Sequence, residues 1–283
     1  MTINSAHIEQ LLNILKIINY TEKNFNENIY CKNYDIEFFL SHLKKNIEST
    51  VTLLENGKFN GSIEICRGTY EIILNLLFFL KEENKEKVMN KIHCFYYEKY
   101  NIYLKELKNL NSQFLEQKQS LDNFEEFKEN INIAIKDLEN KIIQRKRINK
   151  EVTEEINRVN RNLKYPQHYD YFSNIFLTHK NKRKKSSYKD LTKFLEIENF
   201  HNIYPTLSMI THGQILEFYN EENIDSLFSN CINTLGILIC IILKKINIIF
   251  AKEDTGSLLE ILFEKTLGIN DYLLYIKKTP QKL

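Results

Sequence analysis

Neither glycine nor proline occurs between Gly68 and Pro166, and the whole chain has only 7 Gly and 3 Pro in 283 residues. Proteins built from strands need turn residues about every 8–12 positions, and glycine and proline usually supply them. A gap of this length therefore predicts long helices. With 43% hydrophobic and 27% charged residues, the composition is that of a globular protein with a substantial core. We predict an all-α fold, organised as a helical bundle.

Two amphipathic helices are predicted before this gap. Ser5 can cap the first, whose apolar residues recur at i, i+3, i+4 and i+7: Ile8, Leu11, Leu12, Leu15 and Ile18. Residues 21–33 are polar and predict a loop. The second helix is predicted over 34–55, ended by Asn56–Gly57, with these residues inward: Phe38, Leu43, Ile47, Val51 and Leu54.

A third helix, over roughly 62–82, is apolar around most of its circumference, which predicts a central position. Its apolar residues are Ile63, Cys66, Tyr70, Ile73, Leu74, Leu77 and Leu80. The same helix carries Arg67 and Glu71, one turn apart, and charges on a buried helix must be paired or solvated. Two interpretations follow: an ordinary ion pair at the helix edge, or part of a site.

Residues 84–164 carry apolar and aromatic residues at a sustained spacing of about 3.5 residues, which is typical of a coiled coil. They include Tyr96, Tyr100, Tyr103, Leu107, Leu110 and Phe114, then Ile131, Ile135, Leu138 and Ile142, with Arg145 in the same seam. We predict a long antiparallel coiled-coil-like hairpin of residues 86–116 and 123–164. This arm, residues 86–164, would be inserted into a core bundle made of 1–85 and 165–283.

The candidate site centres on the stretch from Tyr204 to Gly213. In a helix that begins near Pro205, the side chains of Tyr204, Ser208 and His212 lie on one stripe. We predict that this helix contacts the central helix and brings its stripe to Arg67 and Glu71. The five residues together form the candidate catalytic site.

Positive charge is concentrated in the middle of the chain. Residues 141–193 contain 15 Lys and Arg against 5 Asp and Glu. The run of Lys182, Arg183, Lys184 and Lys185 predicts an exposed basic loop that suits RNA. A solvated helix face with a mobile loop is the alternative.

Other features argue against several classes of protein. The five cysteines never form a C-x-x-C pair, and no metal-ligand spacing links them to the seven histidines, so neither a metal nor another cofactor is predicted. The N-terminus lacks the pattern of a signal peptide, and the thiols suit a reducing compartment, so we expect a cytoplasmic protein. The apolar run at 235–243 is too short for a membrane span, which needs about 20 residues, and predicts a core helix.

These motifs resemble a widespread family of uncharacterised prokaryotic helical proteins. The resemblance rests on Arg67-x-x-x-Glu71, on Ser187-Tyr188-x-Asp190-Leu191, and on Tyr204-x-x-x-Ser208-x-x-x-His212-Gly213. It covers roughly residues 60–80 and 186–245 and leaves the arm outside. Members of that family are similar to helical toxins and phage-defence effectors of the HEPN ribonuclease kind, which implies RNA as the substrate.

A second Arg and His pair also resembles the HEPN pattern. Arg161 is followed by a polar residue, a short spacer and then His168. In HEPN enzymes such a pair, usually doubled across a dimer, acts on the 2′-oxygen and phosphate of RNA. Here Pro166 interrupts the helix inside the motif, unlike most HEPN sites. Which of the two Arg and His sets would act stays open.

Two hypotheses for the function follow. The first is a metal-independent ribonuclease in which His212 is the acid or base, Arg67 binds phosphate, and Glu71 orients one of them. The second is a non-catalytic helical module, whose Arg, Glu, Ser and His set is a structural network. In that case the arm binds a partner chain or a second copy. Exposure of the set to solvent favours the first, and a sealed set favours the second.

Overall fold

In the computed structural model of this protein, the described residues are 5–28, 34–81, 84–116, 124–148, 188–197, 200, 202–211 and 221–250. These residues form eight α-helices and contain no strand. The all-α prediction is therefore confirmed. The helices are α1 (Ser5–Asn28), α2 (Tyr34–Glu55), α3 (Phe59–Leu80), α4 (Lys85–Glu116), α5 (Phe124–Ile148), α6 (Tyr188–Phe194), α7 (Ile203–Thr211) and α8 (Glu221–Phe250).

The chain divides into two compact units. The first, called the bundle, consists of Met1–Lys85 and Tyr188–Leu283, and the second, called the hairpin unit, is Glu86–Ser187. The predicted return to the core at 164–165 lies outside the described residues. The predicted domain boundaries therefore stay a prediction.

Helix α3 is the central element of the bundle, as its sequence predicted. It packs against α2, α7 and α8 and also contacts α6, while α1 packs against α2 and α8. Its aromatic side chains Tyr70, Phe78 and Phe79 are fully buried. The Phe79 ring lies 5.5 Å from that of Phe39 on α2, so aromatic packing joins the two helices.

Helix α2 ends where its sequence predicted. Gly57 has a φ of +69°, which glycine adopts without the strain that a Cβ would introduce. Its N–H donates to the Leu54 carbonyl at 3.0 Å, and the Lys58 N–H donates to the Leu53 carbonyl at 2.7 Å. This pair of bonds is a Schellman cap, which reverses the chain from α2 into α3.

Helix α8 is long and apolar. Its segment Ser226–Phe250 has 25 residues and contains an 18-residue window with a mean hydropathy of 2.0, enough to cross a membrane by length and composition. Core helices of globular proteins have the same properties. Here α8 packs against α1 and α3, and Leu238, Ile242 and Leu243 are buried. This packing agrees with the predicted core helix, and the absence of a membrane partner and the cytoplasmic location stay predictions.

Several predictions in the bundle were wrong. Phe38 was expected to face inward, but it is 56% exposed, and its neighbours Phe39 and Leu40 are buried instead. Leu12 is 41% exposed. Helix α1 continues to Asn28, through residues predicted to be a loop, and α3 begins at Phe59, before the predicted start at 62. Polar composition predicted a loop where an amphipathic helix continues.

The hairpin unit contains α4 and α5, which run antiparallel. The Phe114 and Phe127 rings lie 4.4 Å apart near the end of α4 and the start of α5. Lys108 Nζ lies 2.7 Å from Glu139 Oε1, farther from that end. The residue that comes earlier in α4 contacts the residue that comes later in α5, so the two helices run antiparallel, as predicted. The predicted tip at 117–122 lies outside the described residues.

The seam of this hairpin is only partly buried. Tyr96, Tyr100 and Phe114 are half-buried. Tyr103 and Leu110 were predicted in the same array but are 53% and 44% exposed. Each lies at the edge of the stripe that faces α5, because an α-helix turns slightly less per heptad than a 3.5-residue repeat assumes.

Candidate functional site

Helices α3 and α7 pack together and bring into contact two residues that are 137 positions apart. Nη2 of Arg67 donates a hydrogen bond to the Tyr204 hydroxyl at 2.7 Å. The guanidinium carbon Cζ lies 4.9 Å from the centre of the Tyr204 ring, within the range of a cation–π contact. The predicted contact between these helices is confirmed for Ile203–Thr211, and it positions Arg67 against Tyr204.

Glu71 completes a three-residue cluster with Arg67 and Tyr204. Its Oε1 lies 3.8 Å from Nε of Arg67, one helical turn away. The side chains of Arg67 and Glu71 are 28% and 39% exposed. The ion pair of the first interpretation is therefore present, but it is open to solvent and contributes at most about 1 kcal/mol to folding. Part of the Arg67 side chain is therefore in contact with solvent.

Tyr70 of α3 and Lys81, the residue that follows α3, contact the segment that leads to α7. The buried Tyr70 hydroxyl donates to the Phe200 carbonyl at 2.8 Å. Nζ of Lys81 donates to the Phe194 carbonyl and lies 4.4 Å from the centre of the Phe194 ring. Because Tyr204 follows Phe200 by four residues, these contacts fix the position of Tyr204 beside Arg67.

Ser208 was predicted to join the cluster. It follows Tyr204 by one turn on α7 and is half-buried. Among the described residues, no hydrogen bond joins its hydroxyl to Arg67 or Glu71. His212 lies outside the described residues, so its role stays a prediction.

The remaining predicted site residues also lie outside the described residues. They are the alternative pair Arg161 and His168 and the basic run Lys182, Arg183, Lys184 and Lys185. Their roles in catalysis and in RNA binding stay predictions.

Two features of the described residues were not predicted from the sequence. Tyr70 was assigned to packing alone, and no local pattern signals its bond to Phe200, 130 residues later. In the hairpin unit, Arg145 lies in the seam as predicted, but its partner His93 was not expected. Since arginine has only donors, His93 must accept through Nδ1. Cζ of Arg145 also lies 4.8 Å from the centre of the Tyr96 ring.

The buried thiols of the bundle do not provide a nucleophile. Burial raises the pKa of Cys66 and that of Cys231 to about 12. Burial likewise raises the pKa of the Tyr70 phenol above its usual range. A thiol that stays protonated at neutral pH is inert, so these cysteines act as packing groups. Within the described ranges, no group of three or more His, Cys, Asp or Glu could hold a metal ion.

The fold and the cluster define an all-helical protein with an accessible Arg–Glu–Tyr cluster on its central helix. The chain belongs to the DUF5677 family of unknown function, whose family model matches residues 38–226. No curated protein and no solved structure matches the chain. The match to this family model confirms the predicted resemblance to an uncharacterised family. The matched span includes the hairpin, which the sequence resemblance had left outside.

Proposed function

We propose that this protein is a helical effector of the toxin or phage-defence type that binds RNA and cleaves it by arginine and histidine acid–base chemistry. The observation that carries the proposal is the partly exposed side chain of Arg67, whose guanidinium is held by the Tyr204 hydroxyl and flanked by Glu71. A guanidinium that is held in position on a half-buried side chain suits a phosphate ligand, because its planar fork matches phosphate oxygens.

The proposed reaction is transfer within the RNA chain. A base removes the proton from a ribose 2′-hydroxyl, and the 2′-oxygen then attacks the adjacent phosphorus. The bond from phosphorus to the 5′-oxygen breaks, and an acid protonates that leaving oxygen. His212 is the candidate acid or base, since a histidine titrates near neutral pH. Arg67 would stabilise the charge that develops on the phosphoryl oxygens, and Glu71 would orient Arg67.

RNA binding is assigned to the basic middle of the chain. The run Lys182–Lys185 carries four adjacent positive charges, and phosphate contacts by such residues weaken as salt increases. Reversing all four charges to Glu should lower RNA affinity and reduce its salt dependence. The melting temperature should stay nearly constant, because exposed charges contribute little to folding.

The test of the cleavage proposal is an assay of purified protein on single-stranded RNA with a chelator present. Arg67→Ala should lower turnover on the order of 10²–10³-fold, the usual loss when a transition-state donor is removed. Tyr204→Phe keeps the ring but loses the hydrogen bond, and it should cost about tenfold. His212→Ala should abolish turnover while RNA binding persists.

Two further variants distinguish the alternatives. If Arg161→Ala and His168→Ala abolish turnover while Arg67→Ala does not, the second Arg and His set is the site. If wild-type protein neither binds nor cleaves RNA at low salt, the ribonuclease proposal is wrong.

The second candidate function is a non-catalytic module that binds a partner chain, or a second copy, through the helical arm. The observation that favours it is a set of exposed apolar side chains on α4 and α5: Tyr103, Leu110, Phe127, Ile133 and Ile143. Light scattering tests the homodimer. Ile133→Lys with Ile143→Lys should convert a dimer to a monomer, and a wild-type monomer would contradict self-association.

A further inference from the structure

Among the described residues of the bundle, three glycines lie inside helices, and two of them have packing partners. A Cβ added to Gly236 on α8 would lie 3.2 Å from Cδ1 of Ile14, and one added to Gly61 on α3 would lie 3.4 Å from Cδ1 of Leu53. At these two positions a neighbouring helix comes close. Glycine inside a helix destabilises it by about 1 kcal/mol relative to alanine, and close packing accounts for glycine there.

Gly68 is the exception. Among the described residues, a Cβ added there would meet no atom within 4 Å, and the φ of Gly68 is not in the left-handed region. Neither packing against the described residues nor backbone conformation therefore requires glycine at this position of the central helix. Gly68 follows Arg67 directly and precedes Glu71 by three residues on the same face. The open space thus lies beside the Arg–Glu–Tyr cluster.

We propose that the space over Gly68 is a subsite for one phosphate group, with Gly68 as its floor and Arg67 as its cationic wall. Arg67 has five N–H donors, and within the described residues only one of them makes a hydrogen bond, to Tyr204. Glu71 lies 3.8 Å away, beyond hydrogen-bond distance. The absence of a Cβ lets a phosphate oxygen approach the helix backbone closely. Because this subsite belongs to the cluster that carries the proposed function, it rests on that proposal when the phosphate comes from RNA.

The experiment uses Gly68→Leu in the full-length protein, with Gly68→Ala beside it. Leucine is a good helix former and should raise the melting temperature by roughly 2–4 °C, while its side chain fills the subsite. Binding of a fluorescent single-stranded RNA, measured by anisotropy, should weaken about tenfold or more. Gly61→Ala is the matched control on the same helix, and it should leave RNA binding unchanged. A substitution that increases stability and weakens binding would identify a ligand site.

Melting of each variant with inorganic phosphate as the probe separates the two sources of the phosphate group. If RNA does not bind but phosphate raises the melting temperature of the wild type and not of Gly68→Leu, the subsite stands and the ribonuclease proposal fails. If Arg67→Ala weakens RNA binding while Gly68→Leu does not, the RNA proposal stands and the subsite is wrong. A lower melting temperature for both Gly68→Leu and Gly68→Ala would assign Gly68 to packing and overturn the subsite. No response to either probe would overturn both.

Discussion

The central helix of the bundle and the second helix of the hairpin unit use apolar residues in different ways. Twelve of the 22 residues of α3 are buried, among them Tyr70, Phe78 and Phe79. Of the described side chains of α5, only Ile131 is buried. Buried apolar area is the main source of folding free energy. The bundle should therefore depend on individual core side chains, whereas the described hairpin helices should depend on many small contacts.

The two Arg–Tyr pairs show the same difference. Arg67 contacts Tyr204 across 137 residues, with the carboxylate of Glu71 beside it. Arg145 contacts Tyr96 and His93 within the hairpin, and its neighbours on α5 are the cations Lys146 and Arg147. The contact of a guanidinium with a phenol is similar in both. The surroundings decide whether it belongs to a candidate site or holds two helices in register.

The largest expected effect is on the aromatic core of the bundle. Phe79→Ala removes a fully buried ring and should lower the free energy of unfolding by about 3–5 kcal/mol. Ile142→Ala, at a half-buried position of α5, should cost about 1 kcal/mol. Urea unfolding followed by circular dichroism measures both. Equal losses would contradict the difference between the two units.

The next effect concerns a part-buried hydrogen bond. Tyr70→Phe removes the donor to the Phe200 carbonyl and should lower the free energy of unfolding by about 0.5–1.5 kcal/mol, the usual net contribution of such a bond. Tyr103→Phe is the control in the hairpin unit. That phenol is 53% exposed, so its loss should change stability by less than about 0.5 kcal/mol. A neutral Tyr70→Phe would show that the bond does not hold the segment before α7.

Alkaline pH should destabilise the bundle through its thiols. Burial raises the pKa of Cys66 from its ordinary value of 9.0 to about 12. Between these values the thiol ionises in the unfolded state but not in the folded state. Below about pH 9 the thiol therefore does not affect the free energy of unfolding. From there to about pH 12, each such thiol lowers the free energy of unfolding by about 1.4 kcal/mol per pH unit. The free energy of unfolding measured from pH 8 to 10 should fall, and less steeply in Cys66→Ala.

The thiols also distinguish the two units. Of the described thiols, Cys66, Cys231 and Cys240 belong to the bundle and Cys94 to the hairpin unit. Burial raises the pKa of each. Hydrogen exchange at increasing pH, corrected for its intrinsic rate, should therefore show the bundle losing protection faster than the hairpin. A uniform loss would contradict this.

The smallest effect is expected at the surface of the hairpin. Lys108 and Glu139 lie 2.7 Å apart with side chains 52% and 45% exposed. A double-mutant cycle with alanine at both positions should give a coupling of about 0.2–1 kcal/mol that decreases as salt is added. A coupling that is large and independent of salt would show that this pair is effectively buried.

Much of the fold follows from periodicity, but the sequence alone does not decide which of two adjacent apolar residues is buried. Phe38 and Phe39 differ by 100° around α2, and both fit an apolar stripe, so packing against Phe79 selects Phe39. The contact of Arg67 with Tyr204 was predictable in kind, because charged and phenolic side chains on apolar helices need partners. The bond from Tyr70 to Phe200 was not predictable, because the sequence does not indicate which backbone carbonyl will accept a hydrogen bond. The open space that the described residues leave at Gly68 depends on how the helices pack around α3, which a single sequence does not show.

The contact of Lys81 with the Phe194 carbonyl joins two positions 113 residues apart. In terms of chain statistics, this contact closes a loop, and the entropy lost on closure grows only with the logarithm of loop length. Each doubling of the loop costs about 0.6 kcal/mol. Lengthening or shortening the segment between these two positions should therefore have little effect on the stability of the bundle. Variation in length among relatives should be concentrated in that segment, while the spacing from Arg67 to Lys81 should stay constant.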